Sequence, residues 1–82
     1  MAKFIDHHAI GPVTPETAEF LRGRVQAGQP DEFGVKPVNV YLGNGEAWCV
    51  SEAADADAVC RSHAALGIQL DRSAVAEVTS VG

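Results

Sequence analysis

Hydrophobic and polar residues alternate in some stretches of the chain and recur at helical spacing in others. Residues 2–8 mix Phe4 and Ile5 with Asp6, His7 and His8 and read as an opening strand. After the Gly11-Pro12-Val13 turn, Thr14 is a suitable N-cap and Pro15 suits a first helical position, where a missing N–H costs nothing. Glu16 and Glu19 favour the positive end of that helix, and Ala18, Leu21 and Val25 form one apolar stripe ending near Gly28. Residues 35–42 alternate, with Val38, Val40 and Leu42 expected on one face. Pro37 cannot donate a ladder hydrogen bond, which makes this an edge strand. Gly43-Asn44-Gly45 is a hairpin turn, and residues 46–51 return. Asp55 caps a second helix running to about Leu66, with Gly67 as its stop and Val59, His63 and Leu66 on one stripe beside Ala56. Residues 74–81 alternate again and read as a last strand.

The order β-α-β-β-α-β predicts an α+β fold, the ferredoxin-like sandwich: a four-stranded antiparallel sheet with two helices on one face. Residues 1–82 are read as a single domain of this type, with no internal repeat or linker. Ile5, Trp48 and Val50 fall on one sheet face, and Phe4, Ala47 and Cys49 on the other. One apolar face therefore lies beyond the helices, and the expectation is a homodimer formed through the sheet.

Composition changes the picture in three ways. Hydrophobic residues make up 46%, but only five are aromatic, so the core is built from small side chains. A net charge of −5 argues against nucleic acid and anionic membranes, since no basic patch is present to neutralise phosphate. No apolar run approaches the roughly 20 residues of a membrane span, and no secretion signal is recognisable, so the expected location is cytoplasmic. There the two cysteines are expected to be free thiols or ligands rather than a disulfide.

Strand parity and helix spacing select the chemistry. Asp6 and His8, two apart, share a face, while His7 points to the other. A right-handed crossover lays the second helix over the first strand, so His63, central in its apolar stripe, can meet Asp6 and His8 in one layer. Cys49 shares that layer as a small core residue or a soft ligand. Cys60, one turn before His63, is offset from it, and Cys60-x-x-His63 without a matching second half is no zinc finger. Glu77 reads as an exposed strand carboxylate, and Glu52 and Asp55 as strand-end and capping residues. No phosphate loop, nucleophile elbow or acid–base pair of carboxylates stands out, so no catalytic residue is assigned and the reading leans away from an enzyme.

Four segments resemble a known family. They are Phe4-Ile5-Asp6-His7-His8, Trp48-Cys49-Val50-Ser51-Glu52-Ala53-Ala54-Asp55, Ala58-Val59 followed by His63 and Gly67, and Ala74-Val75-Ala76-Glu77-Val78. In this order they resemble small ferredoxin-like domains, of the dimeric α/β barrel type and unknown function, whose best-known members bind nickel as homodimers. Ala54 departs from that pattern, where proline is common. The resemblance implies a metal-binding protein with Asp6, His8, Cys49 and His63 as ligands and nickel as the ion. Imidazole with carboxylate suits zinc and copper as well. The alternative is a small-molecule-binding or enzymatic domain using the same pocket.

Overall fold

A computed structural model describes residues 1–82. Strand β1 (Ala2–Ala9) is followed by helix α1 (Pro15–Ala27), strands β2 (Lys36–Gly43) and β3 (Glu46–Ala53), helix α2 (Ala56–Ala65), a 3-10 turn at Arg72–Ala74 and strand β4 (Val75–Val78). The sheet is antiparallel with order β2-β3-β1-β4, the ferredoxin-like arrangement that the sequence pattern predicts.

Local chemistry explains most boundaries. The Thr14 hydroxyl accepts from the Thr17 N–H, Pro15 opens α1, and Gly28 closes it in the left-handed region at φ 61°. Asp55 accepts from the Ala58 N–H at the start of α2. At its end, Gly67 N–H bonds the Ala64 carbonyl and Ile68 N–H bonds that of His63. This is the Schellman pattern, and Gly67 supplies its positive φ of 78°. Asn44 and Gly45, with φ of 52° and 73°, form the two-residue turn whose twist suits a hairpin.

Two strand expectations are corrected. Pro37 lies opposite Ser51 and Val40 opposite Cys49, with an irregularity between Pro37 and Asn39. The extra residue breaks the alternation, so Pro37, not Val38, shares a face with Val40 and Leu42. The last strand spans Val75–Val78 rather than 74–81. It pairs only with Lys3–Asp6, and Asp71 caps the preceding 3-10 turn through the Ser73 N–H, which takes Ala74 out of the ladder.

The buried core is small: Phe4, Val35, Ala53, Ala56, Ala58, Val59, Leu70 and Val75. It lies between α2 and the sheet. Helix α1 buries no residue completely, although Ala18, Leu21 and Val25 are all partly covered along its predicted stripe. The β3 side chains facing the helices are Ala47, Cys49 and Ser51, too short to meet α1 across the gap.

Candidate metal centre

Each residue of the candidate site is placed by an ordinary local rule. Strand β1 is central in the sheet, with Asp6 opposite Cys49 on one side and Val75 on the other. His8 lies opposite Ala47, one pair further along the same face. Helix α2 crosses above and presents His63 downward from its last turn, beside fully buried Val59. The negative end of the helix dipole favours a cation there.

Asp6, His8, Cys49 and His63 each direct one ligand atom into a common space, and these atoms lie within 4.8 Å of one another. Parity and helical spacing select the same four residues. Asp6 is 1% exposed and His63 8%, while His8 and Cys49 are half-buried. The His63 Nδ1–H donates to the Val59 carbonyl at 2.9 Å, and the His8 Nδ1–H donates to that of Ala9 at 2.9 Å. Each bond engages Nδ1 and leaves Nε2 as the nitrogen that an ion could take once it is deprotonated, the way a metal-ligating imidazole is usually held. The two rings meet edge to face with centroids 5.2 Å apart.

The Asp6 carboxylate is the unusual member. Both of its oxygens are buried and neither accepts a hydrogen bond. His63 Nε2 stands 3.3 Å from Oδ1, close enough for charge pairing but not aligned as a hydrogen bond. Burial alone would lower the His63 pKa, but the Asp6 carboxylate, the Cys49 sulfur and the Val59 carbonyl outweigh it and push it up to about 10. The imidazolium therefore offsets the buried carboxylate's charge, and a divalent cation would do so more completely.

The other candidates fall outside the cluster. His7 is exposed on the opposite face and pairs with Glu46 at 3.2 Å. Cys60 is half-buried and packs against the apolar core. Glu77 is exposed. Asp55 caps α2 and Glu52 pairs with Lys36 at 3.9 Å.

Two neighbouring features were missed in the sequence. Asp31 accepts from the Phe33 and Val35 N–H groups and from the Ser62 hydroxyl, with Arg24 at 3.7 Å. This ties the loop after α1 to the residue before His63. The signal available was the Asp31-x-Phe33 spacing of an Asx turn. The second feature is a cavity of about 230 Å³ between α1, the sheet and the end of α2, with His8, Cys49 and His63 on its wall. Its signal was the run of short helix-facing side chains on β3.

No protein-family profile matches the chain, and no curated protein matches it. The crystal structure of SCO4226 from Streptomyces coelicolor A3(2) is similar, with a TM-score of 0.73 and 26% sequence identity over 99% of this chain and 100% of that one.

Proposed function

We propose that this chain binds a divalent transition metal, nickel by its family resemblance and zinc or copper by the same donor chemistry, through Asp6, His8, Cys49 and His63. The observation that carries the reading is the fully buried Asp6 carboxylate, which makes no aligned hydrogen bond and faces two imidazoles and a thiol. Bonds of about 2.0–2.3 Å to a shared ion place its ligand atoms about 3.3–3.8 Å apart in a tetrahedral site, and at most about 4.6 Å apart when they lie opposite one another. The four atoms span 4.8 Å, so the side chains must draw inward to share one ion. Mixed imidazole, carboxylate and thiolate donors suit borderline ions.

Calorimetric titration of untagged, metal-free protein with nickel(II) and zinc(II) tests this. His63→Ala should weaken binding by more than about 100-fold, since even groups that only orient a ligand contribute 10–100-fold. Cys60→Ala should leave it unchanged. Equal affinity in His63→Ala and the parent would refute the assignment. Binding must also expel the proton that His63 holds at neutral pH. Affinity should therefore rise with pH toward about 10, and the apparent binding heat should vary with buffer.

The proposed assembly is a homodimer through the sheet face away from the helices, where Ile5, Trp48 and Val50 are only half-buried and Tyr41 is exposed. A second functional reading, small-molecule binding or catalysis in the same pocket, is favoured by the cavity beside the cluster. A thermal-shift screen separates the two: selective stabilisation by metal salts supports the first, by organic compounds alone the second.

A further inference from the structure

Helix α1 turns its apolar stripe toward the sheet and yet buries nothing fully, and the space beneath it is a formed cavity rather than a packed interface. Leu21 and Val25 wall it from α1, Pro37 and Val40 from β2, and Ala47 and Cys49 from β3. Phe20 and Leu66 line it and are also 54% and 48% exposed, which puts its mouth between α1 and the end of α2. An apolar cavity of about 150 Å³ is enough to bind benzene, and drug-sized ligands occupy about 300–1,000 Å³. At about 230 Å³ the space suits a molecule of one or two rings.

The polar wall residues are Thr17, Arg24, Ser51 and Ser62 together with the three candidate ligands. His8, Cys49 and His63 border the cavity, while Asp6 lies behind them, fully buried and without an aligned hydrogen bond. An ion held by the four would sit in the cavity wall with Asp6 at its back. Four protein donors close a tetrahedral shell, so an ion that takes further ligands, as nickel(II) or copper(II) does in a tetragonal site, is the one that would offer positions toward the apolar space.

We propose that this cavity is a binding site for a compact one- or two-ring apolar molecule carrying a single nitrogen or oxygen donor that coordinates the ion held by Asp6, His8, Cys49 and His63. The donor half of the proposal rests on the metal-binding reading; the apolar half rests on the cavity alone. Shape selects the rings, because Phe20, Leu21 and Val25 of α1 and Pro37 and Val40 of β2 present hydrocarbon to the body of the ligand, with Thr17 and Arg24 the polar residues of that wall. The ion selects the donor, because an occupant without one leaves its open positions to water.

Two probes of the same bicyclic shape separate these parts. Benzimidazole carries a nitrogen donor and indene none. Each is titrated into metal-free and nickel-loaded protein, followed by amide chemical shifts of α1 and β2 and by calorimetry. Both should bind, indene equally in the two forms and benzimidazole about tenfold tighter when nickel is present, the equivalent of one favourable contact. Leu21→Trp, which fills the cavity from α1, should abolish both while nickel affinity is retained. Val25→Phe serves if that variant misfolds. Failure of both probes on protein that binds nickel overturns the proposal and spares the metal reading. Binding of both probes that filling the cavity does not weaken overturns it as well. If nickel does not bind and the two probes bind equally, the metal reading and the donor preference both fall.

Discussion

At residue scale the centre is organised by His63 and Asp6. The four candidate ligands were legible because strand parity and helical spacing are geometric rules that act on single positions. Asp6, His8 and Cys49 follow from two-residue periodicity and His63 from its place in an apolar stripe. Cys60 was not legible, because three residues from His63 leaves its neighbours undetermined until the helix is docked; it then meets the core. The His63–Asp6 pair has a consequence for stability in the absence of metal. Folded His63 holds its proton up to about pH 10, whereas the unfolded residue loses it near 6.5. Between those values the folded state carries the extra proton, so stability must fall as pH rises across the window. Denaturant unfolding of metal-free protein at intervals from pH 6 to 10.5 should show that decline. Asp6→Asn and His63→Gln should each flatten it. A decline that persists unchanged in both variants would mean that another group is responsible.

At the scale of elements, the caps and the hairpin turn were readable because each rests on a local rule: Thr14, Asp55, Gly67 and Asn44-Gly45 need no knowledge of distant contacts. The bulge after Pro37 and the early end of β4 were not, since both depend on which residue of a neighbouring strand is available to pair. The junction between α1, its following loop and α2 was also hidden, because Asp31 and Ser62 are far apart in sequence. Burial pushes the Asp31 carboxyl up, but the Ser62 hydroxyl, the Val35 and Phe33 N–H groups and Arg24 together hold it below its ordinary value of 3.8. Its contribution to stability is therefore complete above that value and is lost as pH falls through the lower, folded one. Asp31→Ala should destabilise the protein by about 2 kcal/mol at neutral pH, the scale of hydrogen bonds to a charged group. Asp31→Asn should remove part of the acid sensitivity seen in unfolding curves below pH 4. Parent-like stability in Asp31→Ala would show that the loop is held by other contacts.

For the whole molecule, the decisive quantity is surface left uncovered. Only 13 of 82 residues are buried, and the chain exposes 5231 Å², against about 4,700 Å² expected for a monomer of 8.6 kDa. Two apolar regions stand uncovered, the cavity beneath α1 and the bare sheet face. On that face Ile5, Trp48, Val50 and Tyr41 form an apolar centre, while His7–Glu46 and Lys36–Glu52 lie toward its margins. An apolar centre with a polar rim is the anatomy of a protein interface, and it supports the proposed homodimer. Each copy carries a formal charge of −5 with its histidines neutral and stays acidic when His63 is protonated, so association must overcome mutual repulsion and should strengthen as salt screens it. Trp48 is the residue to change: it is large and central on the bare face, while its neighbour Cys49 points to the helix side. Sedimentation equilibrium should show a dimer that tightens between low and moderate salt, and Trp48→Glu should shift it to monomer. Nickel affinity should survive that substitution, because the ligands occupy the opposite layer. A parent protein that stays monomeric at high concentration and moderate salt would refute pairing through the sheet. A monomeric variant that has lost its metal would mean that the site needs the second copy.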